Sequence, residues 1–144
     1  MNIRSITTLL IAGFACATFA ADPALATSVH IDHEKLDWAK GGSLLSNTEF
    51  KVATSRRDKP GKVEIHEHDT DIFHIISGSA EFVTGGTVVD LKTGKNGESS
   101  GTEITGGETH HLTKGDVMIV PRGVPHWFKS VQGEILYYVV KVVK

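Results

Sequence analysis

Residues 115–128 read GDVMIVPRGVPHWF. "DVMIV" has the length and β-branched content of a short strand, "PRGVP" reads as a turn, and "HWFKSV" begins the next strand. The stretch sets Gly115, Pro121, Gly123 and His126 at the spacing G-x5-P-x-G-x2-H.

Upstream, residues 63–78 read VEIHEHDTDIFHIISG. In an extended strand, residues two apart point to the same side. Glu64, His66 and His68 are therefore expected on one face, and Val63, Ile65 and Glu67 on the other. Two imidazoles at this spacing reach one metal ion near a strand end, and Asp71, just past a short turn, offers an oxygen. Taken alone, an H-x-H in a chain with 8 histidines is more readily a solvated strand face.

The rest of the chain is punctuated in the same way. "EFKVATS" alternates, "RRDKPG" turns, and "DIFHIIS" and "AEFVT" are separated by Gly78, a hairpin signal. "EILYYVVKVV" closes the sequence as a last strand. The glycine- and serine-rich stretch 84–108 between the two motifs is expected as a long exposed loop or a ragged hairpin. "IDHEKLDWAKGG" (31–42) is expected to hold a short helical arm, capped by Asp32 and stopped by Gly41 and Gly42. Many short strands at close spacing indicate an all-β sandwich or small barrel. No internal repeat is present.

The chain has 144 residues, enough for one domain. Its net charge of −2, with 22% charged residues, gives no sign of a nucleic-acid or anionic-membrane surface. "MNIRSITTLLIAGFACATFAADPALA" (1–26) has the basic start, apolar run and small-residue end of a secretory signal peptide, with cleavage expected after Ala26 or Ala20. A periplasmic or secreted protein is the expectation, with no membrane insertion once the leader is removed. Cys16 is the only cysteine, so the mature chain, 27–144, would have none. Disulfides, cysteine-ligated zinc and cysteine nucleophiles are then excluded.

Taken together, the two motifs resemble those of the cupin superfamily. Its first motif runs roughly G-x5-H-x-H-x3-4-E-x6-G and its second G-x5-P-x-G-x2-H-x3-N. Gly61, His66, His68 and Gly78 match the first motif (61–78), with Asp71 where the family has glutamate. Gly115, Pro121, Gly123 and His126 match the second (115–130), with Ser130 where asparagine is usual. The resemblance implies a double-stranded β-helix, the cupin jelly-roll barrel, in which His66, His68, Asp71 and His126 converge on one divalent metal. Iron, manganese, zinc, nickel and copper all suit that donor set. Aspartate is shorter than glutamate and its turn is tighter than usual, so Asp71 is expected to contribute less than the histidines.

Two functions fit this resemblance: a metal-dependent enzyme acting on a small organic molecule, dioxygenase-like in one form, or a non-catalytic cupin that binds a small molecule or metal. A general acid or base beside the metal would separate them. Glu64 is the one candidate, either inward as an extra ligand or proton acceptor, or solvated at the rim. His74, His110 and His111 read as structural or exposed, and Lys92 as a loop charge. The apolar residues on both faces of "DIFHIIS" and "EILYYVVKVV" call for cover on the outside of the barrel. A homodimer is expected to provide it, with Leu36 and Trp38 of the arm as the competing cover.

Overall fold

A computed structural model describes residues 28–144. The expected leader, 1–26, and its expected cleavage points lie outside the described residues. Strands follow in chain order as β1 (Gly42–Ser46), β2 (Phe50–Arg57), β3 (Val63–His66), β4 (Asp69–Thr84), β5 (Thr87–Val89), β6 (Lys92–Thr93), β7 (Glu98–Gly101), β8 (Glu103–Thr105), β9 (Glu108–Thr113), β10 (Val117–Val120) and β11 (His126–Val143). The arm contains one 3-10 turn, His33–Lys35, in which the Asp32 carboxylate accepts the Glu34 N–H at 3.1 Å.

Two long strands organise the barrel. β4 has 16 residues and β11 has 18, and the two pair along nearly their whole length. The later half of β11 pairs with β2, and the early half of β4 with β10. That gives one layer in the order β1-β2-β11-β4-β10. The early end of β11 meets β3, and the later half of β4 pairs with β9. The second layer is therefore β6-β7-β3-β11-β4-β9. Each long strand leaves one layer and enters the other by a local break in register. On β11 the shift lies between Val131 and Ile135. On β4 it is Gly78, at φ +81°, where an added Cβ would run into the Glu134 carbonyl. Only glycine takes that backbone and that approach together.

The core between the layers is aromatic. Phe73, Phe82, Phe128 and Tyr137 are buried with Ile75 and Ile135. Phe73 packs against the other three rings at centroid distances of 5.4, 5.9 and 5.6 Å. Alternation explains who is inside: Tyr137 points in, and Tyr138 points out to meet Trp38 of the arm at 5.2 Å.

The stretch 84–108, expected as a long exposed loop or a ragged hairpin, contains the four short strands β5 to β8. β7 extends the second layer beside β3, and β5 pairs with β8 as a separate ribbon. This ribbon covers the outside of the second layer, where Val63, Val83 and Ile104 form a buried cluster packed by Val88 and Trp127. The outward Val63 of β3 thus finds cover within its own chain. Polar, glycine-rich composition hid these strands. Their stability comes from backbone pairing and from two apolar anchors, Val88 and Ile104.

Candidate metal centre

The turn of the second motif positions both buried histidines. Pro121 accepts the Val124 N–H at 3.1 Å, and the Gly123 N–H donates to the His66 carbonyl at 2.8 Å. Gly123 has φ +77°, a conformation glycine adopts without strain. The Val124 carbonyl then accepts from His126 Nδ1 at 3.2 Å. One turn so fixes the backbone at the end of β3 and the ring that opens β11.

Cross-strand register does the rest. His126 lies opposite Glu64, Glu64 opposite Ser100, and Ser100 opposite Lys92, so these side chains share the inner face of the second layer. Glu64, His66 and His126 form a group able to hold a metal ion, with one ligand atom of each within 4.8 Å of the others. Glu64 Oε2 stands 3.8 Å from His66 Nε2 and 3.8 Å from His126 Nε2. Both rings are buried, and Glu64 sits half-exposed at the mouth. Glu64 turns toward the two rings and sits half-exposed at the rim.

The donor atoms fit a cation. His66 Nδ1 faces Glu98 Oε2 at 2.6 Å, and His126 Nδ1 faces the Val124 carbonyl. An imidazole whose Nδ1 donates a proton carries its lone pair on Nε2. Among the described residues, neither buried Nε2 has a hydrogen-bond partner. Burial pushes His126 below the usual histidine range, against the opposing pull of the Val124 carbonyl, Asp71 and Glu64. The ring is therefore neutral near pH 7, the form that binds metal.

Asp71 approaches from the other layer. It is buried, with Oδ2 3.5 Å from His66 Nε2 and 3.8 Å from His126 Nε2. Both of its oxygens accept from Lys141 Nζ at 2.8 Å. His68 is not with this group. β3 ends at His66, and residues 67 and 68 form the bend into β4. The Glu67 N–H donates to the Gly97 carbonyl at 2.9 Å, and His68 is exposed beside Gly97. The alternation that would have carried His68 inward stops one residue after His66. His74 and His111 are exposed, and His110 Nε2 lies 3.0 Å from Thr84 Oγ1.

A cavity of about 300 Å³ opens beside Glu64, His66 and Glu98, lined also by Lys92, Thr93, Gly94, Ser99 and Ser100. Lys92 belongs to this mouth and is not a bare loop charge. Glu98 and Lys141 carry no motif signal, although Lys141 is the one charge in the apolar run 135–143.

A two-layer all-β barrel with this histidine–carboxylate centre is the architecture of a cupin. The cupin family matches residues 45–142, and the chain belongs to it. Solved structures share the fold at low identity. The Schizosaccharomyces pombe Cnp3 cupin domain is 17% identical with a TM-score of 0.57, covering 81% of this chain and 70% of that one. The plu4264 protein from Photorhabdus luminescens is 18% identical with a TM-score of 0.51, covering 81% and 88%. The DMSP lyase DddQ from Ruegeria pomeroyi is 15% identical with a TM-score of 0.52, covering 71% of this chain. The alignment spans only 45% of that lyase. No curated protein sequence matches the chain.

Proposed function

We propose that this protein is an exported, metal-dependent cupin that binds and transforms a small organic molecule bearing carboxylate or hydroxyl oxygens. Glu64, His66 and His126 would hold the metal. The observation that carries the reading is the pair of buried Nε2 atoms without hydrogen-bond partners, both turned to the same carboxylate. Two imidazoles and one carboxylate with open positions are the donor set of non-haem iron(II) oxygenases, which favours a dioxygenase-like reaction. Iron(II) bound there would supply a site for dioxygen and substrate oxygen together.

The chain's own residues account for binding and orientation. Glu98 and the Val124 carbonyl hold the two rings in the ligating tautomer. Lys92 and the Ser100 hydroxyl share the face of Glu64, and with Glu98 they make a polar mouth of mixed charge, suited to a small oxygen-bearing molecule. The reading of export rests on the N-terminal stretch 1–26, and mass spectrometry of the mature N-terminus checks it.

One observation favours the non-catalytic alternative. Glu64, the one candidate acid or base named by sequence, belongs to the metal group itself, so its proton-transfer role is taken. Metal analysis of protein purified from its native compartment tests the common core of both readings. One transition-metal ion per chain is expected, with His126→Ala losing it. Protein that takes up no metal when offered iron(II), manganese(II) or zinc(II) would reject both.

A further inference from the structure

Asp71 and Lys141 face each other in register across β4 and β11, on the layer opposite the two histidines. The side chain of Asp71 is 3% exposed and that of Lys141 is 24% exposed. Each carboxylate oxygen is 2.8 Å from Nζ. Oδ2 is the oxygen that also approaches both histidine Nε2 atoms, at 3.5 and 3.8 Å. The site therefore contains a second carboxylate close enough to compete for a metal, but its charge is already engaged. An ammonium has three donors and no acceptor, so it cannot share Asp71 with a cation without like-charge repulsion. For Asp71 to ligate, Lys141 would be left partly buried without its partner.

We propose that Lys141 is a positioning residue that holds Asp71 off the metal, leaving Glu64, His66 and His126 as the protein ligands and the side facing Asp71 open to an incoming ligand. This rests on the metal-centre reading above. With Lys141 in place, its ammonium offsets Asp71, so Glu64 and Glu98 are the carboxylates left to balance a divalent ion.

The test is manganese(II) titration by calorimetry on the mature protein, with cobalt(II) absorbance as a second readout. Asp71→Asn with Lys141→Met removes both charges while keeping side-chain shape, and avoids stranding either one. This double variant is expected to bind manganese within about threefold of wild type. Lys141→Met alone frees Asp71, and is expected to bind about tenfold tighter, with weaker cobalt(II) visible absorbance as the coordination number rises. Lys141→Arg should restore wild-type values for both. A tenfold or greater loss in the double variant would show that Asp71 ligates, and would overturn the proposal while leaving the metal centre standing. Lys141→Met with wild-type affinity and spectrum would overturn it too. Wild-type protein that binds no manganese or cobalt would take down this proposal and the metal reading together.

Discussion

Each buried imidazole at the centre is held by its other nitrogen, and the two holds differ in kind. His126 relies on a backbone carbonyl, which no substitution removes. His66 relies on the Glu98 carboxylate, whose side chain is half-exposed and contributes little packing. Glu98→Ala is therefore expected to lower metal affinity by about 10–100-fold, the usual cost of losing an outer partner of a ligating histidine, with an unchanged circular dichroism spectrum. Calorimetric titration checks it, and wild-type affinity would mean that packing alone orients the ring. Glu98 is 32 residues from His66 in the chain and meets it only through the β3–β7 register, so no local pattern announces it. Glu64 was legible in part. Its side of the strand follows from alternation, but the H-x-H draws attention to His66 and His68. Pairing Glu64 with His66 instead leaves four residues before Asp71 and six between Asp71 and Gly78, which is the family spacing. The tight turn that seemed to shorten Asp71's reach disappears in this register. His126, fixed by a turn of proline and glycine, was legible without help from the fold.

At the scale of elements, the ribbon of β5 and β8 is the part that composition concealed. Alternation in "DIFHIIS" and "EILYYVVKVV" parts the two faces, and Phe73, Ile75, Ile135 and Tyr137 fill the inner one, with Asp71 and Lys141 as its charged exception. The stretch 84–108 has few such residues, and its strands depend on partners far along the chain. Ile104 is the main apolar anchor of the ribbon, buried with Val63 and Val83. Ile104→Ala should cost about 2–5 kcal/mol, the usual range for emptying a buried aliphatic site. Urea unfolding measures the loss, and a cost near zero would mean the ribbon rests loosely on the sheet. The same packing predicts that limited proteolysis spares 98–105 as well as it spares β10. Early cleavage within 98–105 would count against the pairing of β7 with β3. Gly78→Ala is a harsher change, because the new Cβ meets backbone that has no room to move. It is expected to disrupt the crossing of both long strands, read as loss of the cooperative unfolding transition.

Across the whole molecule, the two layers solve the problem of their outer faces differently. The outside of the second layer is closed by the chain's own ribbon. Among the described residues, the ring contact that the arm makes with the first layer is Trp38, edge-on against Tyr138. Beyond that contact a row of apolar side chains crosses the sheet in register: Ile119 beside Ile72, Ile72 beside Val140, and Val140 beside Val52. Val117 and Ile119 are 59% and 58% exposed, and Val142 is 42% exposed. Among the described residues β10 is also an edge strand, paired to β4 alone, and its sequence VMIV carries no charge to deter another strand. Edge strands left this apolar associate with a copy of themselves, and a two-fold pairing satisfies both chains with one surface. The prediction is a dimer that buries the outer face of β10, β4 and β11. Light scattering on the mature protein at high micromolar concentration should give twice the chain mass. Ile119→Lys places a charge at the centre of the row and should return a monomer, while unfolding stability changes by no more than about 0.5 kcal/mol, as for an exposed site. A wild-type monomer would reject the dimer and make the arm, with Trp38 against Tyr138, sufficient cover for that face.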